Sequence, residues 1–259
     1  MKVIILCGGY GTRLKEETEF KPKPMVYIGN KPLLWHIMKT YAHYGYNDFI
    51  LALGYKAEYI KDFFLNQKAF TSDFTLQTAT FRTKYYVKKK EAAENFKITF
   101  VDTGIDTLPG ERLLLCQKYI PKEDAHVMVT YGDGVADMDI KELVKFHKKQ
   151  KTIGTITGVH PRSKYGRVQL GKNKLVKHFE EKPVLSDWVN GGFMIFTQEI
   201  FNHLNYGENE LAALSRLSSI QQLSLFKHNG FWYGMDTYKE LEDLNKLWNT
   251  DNPPWKIWK

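Results

Sequence analysis

The stretch "ILCGGYGTRLKEETEFKPKPMV" (residues 5–26) decides the fold of this chain of 259 residues. An apolar run typical of a buried strand ends at two glycines, and a third glycine follows one residue later. Glycines directly after a strand let the backbone approach a ligand, and the N–H groups of such a loop bind phosphate oxygens. Arg13 and Lys23 add positive charge that suits a polyphosphate. The stretch therefore predicts a first strand that leads into a phosphate-binding loop.

The spacing within this loop excludes two common nucleotide-binding motifs. The run "GGYGTR" (residues 8–13) is not the G-x-G-x-x-G fingerprint of dinucleotide-binding proteins, and it lacks the G-K-[ST] ending of a P-loop. The glycines alone fit a plain structural turn equally well. Their combination with Thr12, Arg13 and "KPKP" (residues 21–24) is far more specific.

The first half of the chain alternates short apolar runs with helical patterns. Strands are predicted at residues 2–7, 48–53, 97–102 and 126–134, and helices at 32–45, 57–66, 112–120 and 139–150. Strands that alternate with helices of this length indicate βαβ units and a mostly parallel sheet. Continuous apolar strands fit a sheet that is covered on both faces.

From about residue 153 the pattern changes to strands with fewer helices. Strand-like runs lie at residues 153–159, 166–170, 174–183 and 189–196, and helical patterns at 198–204 and 238–248. No Pro- or Ser-rich linker and no repeat interrupts the chain, so we expect one continuous α/β domain whose second half closes over the sheet. The tail "NTDNPPWKIWK" (residues 249–259) is expected to dock on its own body or on a neighbouring subunit.

Composition and charge limit the class of protein. The chain is 43% hydrophobic and carries a formal net charge of +8, which suits nucleic acid, an anionic membrane surface or small phosphorylated ligands. Cys7 and Cys116 are too few for a disulfide framework and are expected in the core. No secretory leader and no run as long as a membrane span is visible, so we expect a cytoplasmic protein without membrane contact.

Two lysine clusters raise the alternative of nucleic-acid binding. They are "YYVKKKEAAE" (residues 85–94) and "FHKKQK" (residues 146–151), where lysines stand beside aromatic residues. Lysine clusters on a helix or loop are usually solvated faces, so no nucleic-acid partner is expected.

The glycine stretch and a series of later motifs resemble the sugar-1-phosphate nucleotidylyltransferases over nearly the whole chain. The motifs are "GGYGTRL", "KPKPMV", "LLWHIMK", "GYNDFILALGY", "VDTG", "TYGDGVADMDI", "FEEKP", "NGGF", "GFWYGMDT" and "PPWKIW". Three of them, "LLWHIMK", "TYGDGVADMDI" and "PPWKIW", are most similar to the glucose-1-phosphate cytidylyltransferase branch. The resemblance implies a Rossmann-like, nucleotide-diphospho-sugar transferase fold over residues 1–259. Residues 1–150 would mainly bind the nucleotide, and 151–259 would mainly bind the acceptor and make the contacts of a homo-oligomer.

The implied reaction joins CTP and a sugar 1-phosphate, most simply glucose 1-phosphate, into a CDP-sugar and pyrophosphate. The attacking phosphate oxygen is already an anion, so the site needs positioning and charge neutralisation and no general base. Asp133 ends a predicted strand, where open α/β sheets bind ligands, and Asp236 lies far away in sequence. By resemblance both bind Mg²⁺, although either alone would more often be a turn or cap residue, and Asp236 could cap the helix that begins near Thr237.

The resemblance assigns the site residues besides the metal ligands to three groups. The catalytic residues are Arg13, Lys23, Asp133 and Lys182. The nucleotide-binding residues are Leu6, Gly8, Gly9, Gly11, Thr12, Arg13, Lys23, Thr103, Gly110, Arg112 and Asp133, and the acceptor-binding residues are Glu181, Lys182, Asn190 and Gly191. Gly191 is expected to let the backbone approach the sugar. Arg112 is equally consistent with an exposed residue in the first turn of a helix.

Three segments depart from the family pattern: those at residues 162–170 and 207–217 leave the acceptor open, and the one at residues 109–113 leaves the base contacts open. They are "PGERL" (residues 109–113), "GENELAALSRL" (residues 207–217) and "RSKYGRVQL" (residues 162–170). The alternatives are therefore another sugar phosphate or a non-sugar phosphate. A non-catalytic nucleotide-sugar sensor is the alternative from another class, although the chain keeps the residues that such proteins tend to lose.

Overall fold

The computed structural model describes residues 1–86 and 94–258, without the side chains of residues 13, 15 and 16. The strands are β1 Val3–Cys7, β2 Tyr27–Ile28, β3 Lys31–Pro32, β4 Asp48–Leu53, β5 Asp73–Gln77, β6 Arg82–Tyr86, β7 Lys97–Asp102, β8 His126–Tyr131, β9 Gly134–Ala136, β10 Gly154–Val159, β11 Arg167–Leu170, β12 Val176–Glu180, β13 Val189–Thr197, β14 Leu223–Lys227 and β15 Trp232–Gly234. The helices are α1 Lys15–Thr18, α2 Leu33–His43, α3 Ala57–Leu65, α4 Gln67–Thr71, α5 Pro109–Cys116, α6 Ile140–Gln150, α7 Glu210–Ser219 and α8 Tyr238–Trp248.

Seven strands form one central sheet in the order β14-β10-β13-β8-β1-β4-β7. β1 is parallel to both neighbours, β4 and β8, and β4 is parallel to β7. β13 runs antiparallel to β8 and β10, whereas β10 and β14 are parallel. The expected mostly parallel sheet flanked by helices is confirmed, with β13 as the strand that breaks the pattern.

The first strand shows why the sheet tolerates continuous apolar runs. Side chains alternate between the two faces of a strand. Val3 and Ile5 pack into a core on the α2 side, whereas Ile4 packs into the core that includes Leu113 of α5 and Leu217 of α7. Because helices cover both faces, neither side of the strand needs polar residues.

The carboxyl-terminal tail docks on the body of its own chain. Trp255 is fully buried and Trp258 nearly so, and both rings pack around His36 of α2. The indole Nε1 of Trp255 donates a hydrogen bond to His36 Nδ1 at 3.4 Å. The expectation that the tail docks on the body of its own chain is thus confirmed.

Several predicted segments differ in detail. The pattern at residues 198–204 forms a 3₁₀ turn, Gln198–His203. The sequence pattern assigns no element to the region between residues 81 and 97, and its first part, Arg82–Tyr86, forms the second strand of the hairpin β5–β6. The lysines at 88–90 lie outside the described residues, whereas Lys148 and Lys149 are exposed near the end of α6.

No helix in the described ranges combines the length and apolarity needed to cross a membrane.

Candidate active site

The candidate site lies where four neighbouring strands end at the same edge of the sheet. β1, β4, β7 and β8 all run parallel, so the loops after Cys7, Leu53, Asp102 and Tyr131 converge there. Ligands bind at this edge in open α/β sheets. The loops enclose a cavity of about 430 Å³, lined by Leu6, Cys7, Gly8, Gly9, Tyr10, Gly11, Thr12, Lys23, Pro24, Ile105, Asp106, Thr107, Leu108, Pro109, Arg112, Tyr131, Gly132, Asp133 and Asp236.

The glycine loop is shaped by close packing as well as by ligand access. A Cβ atom at Gly8 would lie 2.2 Å from the guanidinium of Arg112, so no side chain fits there. Gly11 has a φ of +64°, the left-handed region that favours glycine. Gly9 faces open space instead, so its backbone remains accessible to a ligand.

Lys23 joins the two predicted metal-binding carboxylates. It follows Pro22 at the start of a short 3₁₀ turn, Lys23–Met25. Its Nζ lies 2.9 Å from Asp133 Oδ2 and 2.7 Å from Asp236 Oδ1, and only 12% of the side chain is exposed. Residues that are far apart in sequence thus form one charged cluster in the wall of the cavity.

Asp236 is oriented by the helix that follows it, but it is not the cap of that helix. Thr237 caps α8: its hydroxyl accepts a hydrogen bond from the Glu240 amide. The Glu240 carboxylate reaches back to the amides of Asp236 and Thr237 at 2.6 and 2.8 Å. The interpretation of Asp236 as a cap is therefore wrong, and its carboxylate points to Lys23 instead.

Arg112 lies beneath the cavity and is only 3% exposed, so the interpretation as an exposed helix residue is wrong. Its Nη1 donates to Leu53 O, Thr103 Oγ1 and Gly104 O. Its Nη2 donates to the carbonyls of Gly8 and Ile105. Burial lowers the pKa of the guanidinium. Arg112 therefore ties the glycine loop to the loop between β7 and α5.

Sequence reasoning missed a buried pair of polar side chains beside the cavity, Tyr131 and Glu210. The Tyr131 hydroxyl donates to Glu210 Oε1 at 2.7 Å, and the other oxygen of this buried carboxylate has no partner among the described groups. Burial and the Glu210 charge raise the pKa of Tyr131, so the hydroxyl stays a donor. Tyr131 stands directly before the "GDG" turn, but Glu210 belongs to α7, and only folding brings them together.

Most of the predicted nucleotide-binding residues line the cavity, and two do not. Thr103 is buried behind Arg112, and its hydroxyl donates to Leu53 O at 2.5 Å. Gly110 packs against the backbone that leads into α7, where a Cβ would lie 2.7 Å from Glu208 O. The side chain of Arg13 lies outside the described part of the chain. The predicted residues that do line the cavity are Leu6, Gly8, Gly9, Gly11, Thr12, Lys23, Arg112, Asp133 and Asp236.

The predicted acceptor residues lie outside the cavity lining. Glu181 and Lys182 are exposed directly after β12, and Lys182 has a φ of +48°, which is strained for a lysine. Asn190 lies on β13, where its Oδ1 accepts from the Gly192 amide. A Cβ at Gly191 would lie 2.6 Å from Val159, so packing also requires glycine at this position.

The two carboxylates fit a magnesium ion by their donor chemistry. Asp133 and Asp236 supply hard oxygen ligands, and both already bind one cation, the Lys23 ammonium. No cluster of three or more metal-binding side chains occurs among the described residues. Mg²⁺ usually takes one or two protein carboxylates and completes its shell with phosphates and water, so two are enough.

Comparison with known proteins places the chain in a family. The model of the family described as "Nucleotidyl transferase" matches residues 2–245. The chain belongs to this family. It is 40% identical to the glucose-1-phosphate cytidylyltransferase of Salmonella typhimurium, with both chains covered completely. It is 30% identical to a mannose-1-phosphate guanyltransferase of Aspergillus oryzae, over 93% of this chain and 62% of that protein.

Two solved structures share the fold. HddC from Yersinia pseudotuberculosis superposes with a TM-score of 0.67 and 24% identity, over 95% of this chain and 98% of the other. A UDP-glucose pyrophosphorylase in complex with UDP-glucose also reaches a TM-score of 0.67, at 18% identity, over 95% and 97% of the two chains. The family and fold predicted from the motifs are confirmed.

Proposed function

We propose that this nucleotidyl transferase joins CTP and glucose 1-phosphate to give CDP-glucose and pyrophosphate. The observation that carries the proposal is the 40% identity, over the full length of both chains, to a glucose-1-phosphate cytidylyltransferase. The site supports it, because Lys23, Asp133 and Asp236 form a charged cluster beside a glycine loop, and this arrangement suits a nucleoside triphosphate.

The chemistry requires no proton to be removed from the acceptor. A phosphate oxygen of the acceptor forms a bond to the α-phosphorus of CTP. The bond from that phosphorus to the bridging oxygen breaks, and pyrophosphate leaves with the electron pair. Catalysis then depends on positioning and on charge neutralisation. Among the residues that the structure describes in the cavity wall, Lys23 is placed to contact the phosphates. Arg13 is proposed to assist it.

Asp133 and Asp236 would hold a magnesium ion. When bound, Mg²⁺ neutralises phosphate charge and orients the phosphates for in-line displacement. The glycine loop offers backbone N–H groups to the phosphates, and Arg112 holds that loop in shape through Gly8 O. Lys23 would then exchange its carboxylate partners for phosphate oxygens when the nucleotide binds.

The acceptor side rests on Glu181, Lys182 and Asn190. Lys182 is proposed to bind the sugar phosphate, and Glu181 and Asn190 the sugar hydroxyls. The positive φ of Lys182 supports this role, since strained residues cluster at functional sites. The Trp232 indole donates to Gly191 O at 2.9 Å, which ties the acceptor strand β13 to the segment that precedes Asp236.

The test is pyrophosphate release with magnesium from CTP, UTP, dTTP, ATP and GTP. Each nucleotide is paired with glucose 1-phosphate and with a panel of other phosphates. We expect activity with CTP and glucose 1-phosphate. Activity with CTP and another phosphate would redefine the acceptor, and CTP binding without release in any pairing would favour the sensor.

The metal-binding role is tested by Asp133→Asn and Asp236→Asn. Each should lower kcat by roughly 100-fold or more, because an amide is a poor magnesium ligand and phosphate geometry is lost. Asp251→Asn, at an exposed carboxylate, is the control and should change kcat less than twofold. Near-normal turnover in both site variants would contradict the assignment.

We propose a cytoplasmic homo-oligomer. Hairpins β5–β6 and β11–β12 expose apolar side chains, and such two-stranded units are barely stable alone. The exposed residues are Phe74, Leu76, Phe81, Val168, Leu170, Val176 and Phe179. Sedimentation velocity should detect an assembly larger than one chain, and a monomer at micromolar concentration would contradict this part of the proposal.

A further inference from the structure

One hydrogen bond joins the tips of two loops that face each other across the cavity. Tyr10 lies on the glycine loop after β1, and Asp106 lies on the loop between β7 and α5. The Tyr10 hydroxyl donates to Asp106 Oδ1 at 2.5 Å, across 96 residues of sequence. Both residues line the cavity. The bond therefore spans the opening between the two loops.

The ring of Tyr10 is held in place from behind, although 44% of the residue is exposed. It packs on Tyr55 with ring centroids 5.2 Å apart. Tyr55 is itself fixed, because its hydroxyl donates to Thr18 O at 3.1 Å and its amide donates to Gly8 O at 3.2 Å. Tyr10 therefore loses little rotamer freedom when it bonds to Asp106.

The same two loops are clamped a second time from below. Arg112 donates to Gly8 O at the base of the glycine loop and to the carbonyls of Gly104 and Ile105 at the base of the other. With the bases fixed by a buried guanidinium, the Tyr10–Asp106 bond determines whether the tips stay together. Residues of both connections, Tyr10 and Asp106 as well as Gly8, Ile105 and Arg112, line the cavity.

The order of the strands assigns the bond to one end of the cavity. Asp133 follows β8 and Asp106 lies beyond β7, and the order β8-β1-β4-β7 separates these strands by three spacings. At about 4.8 Å per strand this is about 14 Å, similar to the length of a nucleoside triphosphate. If the phosphates lie at Lys23 and Asp133, the base and ribose lie beneath Tyr10 and Asp106.

We propose that the Tyr10–Asp106 hydrogen bond is a strap that closes over the base and ribose of the bound nucleotide. This inference rests on the proposed function. The strap slows release of CTP and makes no contact with the reacting atoms, so Tyr10 and Asp106 are positioning residues. Phosphate contacts alone cannot distinguish nucleosides, and the strap holds the end that differs between nucleotides.

The direct test is Tyr10→Phe, which removes the hydroxyl and leaves the ring on Tyr55. Calorimetric titration with CTP should show a Kd about tenfold higher, because the two loops lose the hydrogen bond that pre-organises them for the nucleotide. A chase of bound radiolabelled CTP should show faster release. At saturating CTP, kcat and the acceptor KM should stay within twofold. Tyr206→Phe, an exposed tyrosine away from the cavity, is the matched control and should change nothing.

The pairing is tested by Asp106→Ala, Asp106→Asn and the double variant with Tyr10→Phe. If the two residues act as one strap, the double variant binds CTP no more weakly than the weaker single variant, and the Asn variant, whose amide oxygen still accepts, recovers part of the affinity. Additive increases in the free energy of CTP binding, or a Kd for Tyr10→Phe within twofold of wild type, would overturn the strap. In either case, CTP binding by the wild type would still support the proposed function. Wild type that binds no CTP would overturn both.

Discussion

Arg112 shows what a single residue contributes to this site. Its two terminal nitrogens reach five acceptors that belong to three separate stretches of chain. The planar fork of a guanidinium can donate in several fixed directions at once, whereas a lysine ammonium is a single point. The charge at this position therefore matters less than the geometry of its donors.

We predict that Arg112→Lys keeps the charge and loses the loop geometry. The Kd for CTP should rise about tenfold or more, and the melting temperature should fall by several degrees, because several buried carbonyls lose their donors. Titration calorimetry and thermal unfolding measure the two effects. Arg82→Lys, on an exposed hairpin strand, is the control. Unchanged CTP affinity would show that Arg112 does not shape the site.

Helix α8 is an element that serves both stability and the site. Its capping box uses Thr237 and Glu240, and the Glu240 carboxylate binds the amide of Asp236. The first turn of the helix thus fixes the backbone from which the carboxylate of Asp236 reaches Lys23. A local motif that begins a helix also orients a predicted metal ligand.

We predict that Thr237→Ala lowers both stability and turnover. Loss of an N-cap costs about 1 kcal/mol of the free energy of unfolding, measured by urea titration. Because the box also holds Asp236, kcat should fall severalfold. Thr250→Ala, at an exposed residue just beyond the opposite end of α8, is the control and should leave kcat unchanged. A loss of stability with normal kcat would separate the cap from the site.

At the scale of the whole molecule, the tail closes an aromatic cluster over α2. His36 lies at its centre, in contact with Trp35, Trp248, Trp255 and Trp258. Its Nε2 lies 3.0 Å from Ile28 O. Burial lowers the pKa of His36 from 6.5 to about 4, so the ring is neutral in the folded protein at neutral pH.

This buried histidine makes the stability depend on pH below about 6.5. Between pH 6.5 and 4, His36 binds a proton in the unfolded chain but stays neutral in the folded protein. The free energy of unfolding therefore falls as the pH falls through this window, and the full stability is present above pH 6.5. The slope is at most about 1.4 kcal/mol per pH unit for one group. His147, whose pKa is likewise lowered to about 4, adds to it.

Urea unfolding at pH 7.5, 6.0 and 5.0 measures this dependence. His36→Gln should have a smaller slope than wild type, with part of the remainder due to His126 and His147, whose pKa values are also lowered by burial. His43→Gln, at the exposed end of the same helix, should keep the wild-type slope. Equal slopes in all three proteins would show that His36 is not the titrating group.

The sequence by itself determined the strand, the glycine loop and the covered sheet, because these depend on local pattern. An apolar run such as Val3–Cys7 followed by glycines permits few other structures, and the strand-end position of Asp133 follows from the same pattern. Which side chains meet across the sheet depends on the order of the strands, and local pattern does not determine that order. The tertiary structure alone decided that Arg112 is buried, that Tyr131 meets Glu210, and that Val159 requires glycine at residue 191. Such contacts join segments that are distant in sequence, and only packing fixes which of them meet.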